Sequence, residues 1–349
     1  MPRALVVAVE TRALHESFEA ELAEFEALAR AAGAEILDRI VQRRDAVDAA
    51  TLVGSGKTLE IAQRAQDEAA DLLLVLNDLR PRQRKNLESV IPLPIVDRTM
   101  LILDVFARHA RSREGKLAVE LAQLRYRQSN LIGAGADLSR LGGGIGTRGP
   151  GESKLEVDRR RIGQRIAALN GALRKIRVQR TLRRSGPDRE PLVALVGYTN
   201  VGKSSLLNVL ARSDALVADR PFATLDPTIR RAFLGPGAYV RIADTVGFIT
   251  DLPKELVSAF RATLEELHEA DLLLHVLDAS SAQWMRQQRA VEAILDQLEL
   301  EGRPRLLVFN KCDRAVPEAL GQAGALYVSA KTKDGLPGLR DAISDAVSS

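Results

Sequence analysis

The chain has 349 residues, 46% hydrophobic and 28% charged, with a single cysteine and a net charge of +4. That balance is ordinary for a soluble globular protein and excludes wholesale disorder, and one thiol, Cys312, excludes an internal disulfide and a multi-cysteine zinc site and fits a reducing cytoplasm. The start Met1-Pro2-Arg3 leads into an apolar run that meets Glu10 too soon for a signal peptide, and no apolar stretch approaches the roughly 20 residues of a membrane helix.

Residues 1–107 alternate strand-like and helix-like runs. Strands are expected at Leu5 to Val9, Glu35 to Ile40, Asp71 to Leu76 and Pro94 to Asp97, with helical patterns at Phe18 to Arg30, Leu59 to Ala70 and Arg80 to Ser89 between them. Such alternation predicts a parallel sheet with helices on its faces. Within it, Gly54-Ser55-Gly56-Lys57-Thr58 imitates a phosphate loop. The glycine needed five residues before the Gly-Lys pair is Thr51, and the preceding strand is weak, so the segment is expected to be a turn with a capped helix start.

Residues 108–189 read as two helices around a glycine-rich loop. Leu117, Leu121, Leu124 and Leu131 keep helical spacing, and Leu155, Ile162, Ile166, Leu169, Leu173 and Ile176 keep heptad spacing, which predicts an antiparallel helical hairpin. Between Lys154 and Ser185 stand eleven Lys or Arg against Glu156 and Asp158, a local charge of +9 that leaves −5 for the remainder. So concentrated a block points to a polyanion such as nucleic acid, or else to a solvated face paired with an acidic neighbour. The run Gly142 to Gly151 fits a flexible linker or a loop whose amides and Arg148 approach a phosphate backbone; spacing alone leaves both readings open. Ser185-Gly186-Pro187-Asp188 closes the segment as a turn.

Residues 190–349 carry the chemistry. The apolar run Leu192 to Val196 is followed by Gly197-Tyr198-Thr199-Asn200-Val201-Gly202-Lys203-Ser204 and a helical pattern, which is the phosphate loop in its strand–loop–helix setting. Its amides and the helix N-terminus would wrap phosphates, Lys203 would reach the outer ones, and the Ser204 hydroxyl would bind magnesium. Phe222-Ala223-Thr224-Leu225-Asp226-Pro227-Thr228 occupies the place of a first switch, with Thr224 expected to close on magnesium and Thr228 as runner-up. Asp244-Thr245-Val246-Gly247 ends the run Val240 to Ala243; Asp244 would hold magnesium through water and the Gly247 N–H would sense a γ-phosphate.

Base choice lies in Asn310-Lys311-Cys312-Asp313 and Ser329-Ala330-Lys331, each at the end of a strand-like run. A carboxylate at Asp313 accepts from guanine N1–H and the 2-amino group, which adenine cannot satisfy. Asn310 would brace the loop, the Lys311 stem would lie along the base, and the serine-alanine-lysine turn would offer a backbone N–H to guanine O6. GTP and GDP are therefore the expected ligands, with Mg2+ beside them. Phe248 stands where many relatives place a glutamine that orients water, so intrinsic hydrolysis is expected to be slow and activated by a partner or a cation. Asn200 is a candidate ligand for K+, giving a catalytic set of Lys203, Thr224, Gly247 and Asn200. His15, His109, His268 and His275 share no ligand spacing, and Trp284 reads as a packing residue.

Together these residues resemble the HflX family of ribosome-associated GTPases. The likeness rests on the segments from Phe222 to Thr228 and Asp244 to Ile249, on Gly143 to Glu152, and on Asp97-Arg98-Thr99, Glu114 to Leu117 and Val119 to Leu124. It covers essentially the whole chain. It implies an α/β fold: a Ras-like phosphate-loop G domain, an N-terminal parallel α/β domain and a helical hairpin connector. It also implies binding to the large ribosomal subunit and ribosomal RNA, rescue or splitting of stalled ribosomes under stress, and GTPase stimulation by the ribosome. An RNA-binding assembly or chaperone factor gated by GTP is the alternative. The expected protein is a cytoplasmic monomer without membrane insertion. The chain ends after the helix expected to close the G domain, so a further C-terminal domain carried by some members is expected to be missing.

Overall fold

In the computed structural model, residues 1–12, 15, 17–141, 154–184, 190–211, 228–235, 238–250, 252–253, 256–257, 265–314 and 324–348 are described. They fall into two compact units, residues 1–108 with 120–171, and residues 109–119 with 172–349.

The first unit contains β1 (Arg3–Glu10), α1 (Phe18–Ala31), β2 (Glu35–Arg43), α2 (Ser55–Asp67), β3 (Leu72–Val75), α3 (Pro81–Val90), β4 (Ile95–Asp97) and α4 (Arg98–His109). The four strands are all parallel, in the order β2-β1-β3-β4. Central β1 is apolar on both faces and Ala4 to Val9 are buried throughout, as a parallel strand covered on both sides must be. Leu5, Val7 and Val9 join Ile61, Leu73, Val75, Leu87 and Ile95 in one core cluster.

The start of α4 shows how polar groups are managed there. Asp97 accepts from the Met100 amide at 2.9 Å, capping the helix, and its other oxygen accepts from Arg84 at 2.5 Å and from the Tyr126 hydroxyl. Asp97 is 1% exposed, so this carboxylate is held by three donors rather than by water.

Two long helices follow, α5 (Arg113–Leu141) and α6 (Lys154–Arg184). Leu121, Leu169 and Leu173 are buried, Ile162, Ile166 and Ile176 are half-buried, and Arg159, Arg160, Arg161, Arg165, Arg174 and Lys175 are exposed. Arg165 reaches Glu120 with two bonds of 2.7 and 2.9 Å. The glycine-rich segment 142–153, with Arg148, lies outside the described residues.

The second unit is built on β5 (Leu192–Gly197), α7 (Lys203–Leu210), β6 (Thr228–Gly235), β7 (Ala238–Asp244), α8 (Glu265–His268), β8 (Leu272–Asp278), α9 (Trp284–Gln297), β9 (Arg305–Asn310), β10 (Leu326–Tyr327) and α10 (Leu336–Ser348). Its sheet runs β10-β9-β8-β5-β7-β6, parallel except for the β6–β7 pair. The spacing of apolar residues gave no expectation for β6, of which only Ala232 and Leu234 are buried. Strand order reverses at β5, which lies between β7 and β8, and the carboxyl ends of β5, β7, β8 and β9 open there as a crevice, the usual place for a ligand in such a sheet. Trp284 packs edge-on against Phe309 with ring centroids 5.2 Å apart. Among the described residues, no helix is long and apolar enough to cross a membrane.

Candidate functional site

Three of the expected motifs in the second unit begin where a strand ends at this crevice. Gly197 ends β5, Asp244 ends β7 and Asn310 ends β9. Between β5 and α7 the chain turns through Asn200 at φ +61° and Gly202 at φ +92°. Gly202 is irreplaceable on two counts: its φ is left-handed, and a Cβ there would run into the Asn310 side-chain amide. Lys203 is 6% exposed and folds back over the loop, donating to the carbonyls of Gly197 at 3.0 Å and Tyr198 at 2.8 Å. Burial pushes its ammonium down to about 8, opposed by the nearby Asp244 carboxylate.

Ser204 Oγ lies 2.5 Å from Asp244 Oδ2, so a hydroxyl from the first turn of α7 and a carboxylate from the end of β7 meet beside the phosphate loop. Hard oxygen donors of this kind fit Mg2+, which is bound through one or two such groups plus phosphate oxygens and waters. Thr245 is turned the other way, its hydroxyl donating to the Leu195 carbonyl at 2.6 Å. Gly247 lies against the phosphate loop, where an added Cβ would stand 2.9 Å from Thr199 Cα and 3.1 Å from Lys203 Nζ. Phe248 is 1% exposed: it is a core residue, and its ring offers no group to a water.

The loop from Asn310 to Asp313 is braced from three directions. The Asn310 amide donates to the Val201 carbonyl at 2.9 Å and its carbonyl oxygen accepts from the Ala330 amide at 3.0 Å. Lys311, itself at φ +64°, donates to the Asn200 carbonyl at 2.7 Å and pairs with Asp278 at 2.8 Å. These bonds hold a backbone conformation that costs a lysine about 1–2 kcal/mol. Ser329 donates to Asp313 Oδ1 at 2.7 Å, and that bond is the main reason the Asp313 carboxyl lies below its ordinary range. The Asp313 side chain is exposed. Cys312 and Lys331 flank this pair, and the Cys312 thiol is pushed up by partial burial.

Phe222, Ala223, Thr224, Leu225 and Asp226 lie outside the described residues; Thr228 begins β6. Sequence spacing missed Asp278, although it closes the apolar run Leu272 to Leu277 just as Asp244 closes its own strand. It also missed the pairing of the second switch with the phosphate loop: the Thr199 amide donates to the Phe248 carbonyl at 2.8 Å and the Phe248 amide to the Gly197 carbonyl at 3.1 Å. His275 is fully buried in β8, and neither ring nitrogen has a hydrogen-bond partner among the described residues.

The imitation loop in the first unit is otherwise employed. Ser55 to Thr58 form the first turn of α2, the Thr58 hydroxyl donates to the Gly54 carbonyl at 2.8 Å, and Lys57 pairs with Glu60 at 2.7 Å.

Residues 19–107 match the family described as GTP-binding GTPase N-terminal, residues 109–186 the GTP-binding GTPase Middle Region, and residues 192–311 the 50S ribosome-binding GTPase family. The GTPase HflX of Caldanaerobacter subterraneus is 48% identical over 343 residues, spanning 98% of this chain and 79% of that protein. The GTPase HflX of Escherichia coli K12 is 42% identical over 337 residues, spanning 94% and 79%. The chain belongs to the HflX family of GTPases.

As an HflX GTPase it binds GTP and GDP and hydrolyses GTP. Its fold is similar to the crystal structure of a GTP-binding protein from Sulfolobus solfataricus in complex with GDP, at TM-score 0.50 and 23% identity over 100% of this chain and 99% of that one. The SsGBP–GDP complex gives TM-score 0.53 at the same identity and coverage.

Proposed function

We propose that this HflX GTPase works on the large ribosomal subunit, splitting or rescuing stalled ribosomes under stress, with GTP hydrolysis as the switch that releases it. The observation that carries the reading is the match of residues 192–311 to the 50S ribosome-binding GTPase family. The exposed arginines of α6 support a polyanionic partner, most simply ribosomal RNA, because clustered guanidinium groups gain affinity by releasing counterions from a phosphate backbone. The chain is taken as three parts, residues 1–107, 108–189 and 190–349, with the first two meeting the RNA.

In the site, Lys203 and the amides of Gly197 to Ser204 hold the phosphates, Ser204 and Thr224 bind Mg2+, and Asp244 does so through a water. Magnesium, when bound, neutralises charge on the β- and γ-phosphate oxygens. Gly247 contacts the γ-phosphate, Asp313 reads guanine, and Asn310, Lys311, Ser329, Ala330 and Lys331 shape the base pocket. Because Phe248 is a core residue, this chain has no glutamine there to align water, and turnover is slow until a partner or K+ at Asn200 completes the site. Equal rates in sodium and potassium chloride at matched ionic strength would dispose of the potassium ligand.

Co-sedimentation with 50S subunits tests the main reading. Binding with a non-hydrolysable GTP analogue that weakens steeply with salt is expected, together with conversion of 70S ribosomes into subunits. Binding without conversion would favour an assembly or chaperone factor, and no binding in the GTP state would sink both.

A further inference from the structure

The residue after the first phosphate-loop glycine, Tyr198, is 5% exposed, and its hydroxyl is spent on the second switch. The phenol oxygen accepts from the Thr250 amide at 2.9 Å and hydrogen-bonds the Thr250 hydroxyl at 2.9 Å. Two backbone bonds lie beside it, the Phe248 amide to Gly197 and the Thr199 amide to Phe248, so Tyr198 and Phe248 pair as a short parallel extension of β5. The chain from Gly247 to Thr250 is thereby laid along the phosphate loop, with Gly247 packed against Thr199 and Lys203. A phenylalanine would fill the same space, but it could not accept from the Thr250 amide.

We propose that Tyr198 is a positioning residue for GTP hydrolysis: its hydroxyl latches Thr250 and so holds the Gly247 amide in register with the phosphate loop, where the γ-phosphate is read. The proposal rests on the nucleotide site assigned above and adds a side-chain coupling between the phosphate loop and the second switch. GDP, which has no γ-phosphate, does not use Gly247. Loss of the latch therefore separates hydrolysis from GDP affinity, whereas a merely structural role would weaken both together.

The test uses the full chain with Mg2+, measuring single-turnover phosphate release and the Kd for a fluorescent GDP in wild type, Tyr198→Phe, Thr250→Val and the double variant. Tyr198→Phe is expected to slow hydrolysis about three- to tenfold, the equivalent of one or two hydrogen bonds of ordinary strength, with the GDP Kd within twofold of wild type. Thr250→Val keeps the backbone amide, so its loss is smaller, and the double variant is no slower than Tyr198→Phe. Unchanged hydrolysis in Tyr198→Phe, additive losses in the double variant, or equal losses of GDP affinity and rate would each overturn the latch. A wild-type chain that bound no GDP would overturn the site assignment itself, and the latch with it.

Discussion

The side-chain amide of Asn310 donates to the carbonyl of Val201 at 2.9 Å, tying the loop proposed to read the base to the loop between β5 and α7 across 109 residues of chain. Asn310 is 1% exposed and its other end carries the Ala330 amide, so one side chain sets the spacing of three loops. Asn310→Ala removes two hydrogen bonds, leaving the buried Val201 carbonyl and the half-buried Ala330 amide without them. GDP affinity is expected to fall about 10- to 100-fold, read by titration with a fluorescent GDP. An affinity within twofold of wild type would mean the loops hold their spacing without the brace.

Asp313→Asn exchanges one of two acceptor oxygens for a donor. Guanine N1–H and the 2-amino group then face a group that can accept only one of them, while the 2-carbonyl of xanthine gains a partner. GDP binding is expected to weaken on the order of 100-fold and xanthosine diphosphate to bind better than GDP, compared by calorimetry. Unchanged GDP binding would mean the base is read elsewhere.

His275 predicts an acid-side loss of stability. Burial, with the fields of Arg305 and Lys203, lowers it to about 3, whereas the unfolded chain keeps its ordinary value near 6.5. Between these values the unfolded state binds a proton that the folded state refuses, so stability falls as pH drops below 6.5, by up to about 1.4 kcal/mol per pH unit. His275→Leu removes that titration together with two unpartnered buried nitrogens. The variant is expected to match or exceed the wild-type Tm at pH 7.5 and to gain on it steadily toward pH 5, in parallel melts across that range. A constant difference would show that His275 is not the titrating group.

Asp97→Ala strikes the first unit. It leaves the Arg84 guanidinium, the Tyr126 hydroxyl and the Met100 amide short of their shared acceptor, and removing one member of a buried pair typically costs about 3–5 kcal/mol. Trp284, the only tryptophan, lies in the second unit and provides a separate probe. Urea unfolding followed by circular dichroism is expected to begin earlier in the variant, with the Trp284 fluorescence transition shifted less. A variant with unchanged transitions in both signals would remove Asp97 from the account of stability.

Much of the site was legible in the sequence because its chemistry is written in short contiguous stretches. Gly197 to Ser204 must follow a strand and open a helix, and residue types at strand ends specify backbone amides, a lysine and a carboxylate whatever the rest of the chain does. The parallel sheet of the first unit was legible for a similar local reason, the alternation of apolar runs with helical periods. The apolar run Leu272 to Leu277 was there to be read as a strand; β6 was hidden by its two arginines and its mostly unburied edge position.

What the tertiary structure alone decided are the pairings between distant segments: Asn310 with Val201, Lys311 with Asp278, Tyr198 with Thr250, and the arrival of His275 in the core with no hydrogen-bond partner among the described residues. Spacing along a chain states which residues share a face. It does not state which strands become neighbours, and these contacts exist only because β5 is seated between β7 and β8, bringing their carboxyl ends into one crevice. The sequence by itself therefore determined what the site binds. The packing of the sheet decided how the loops that bind it are held to one another.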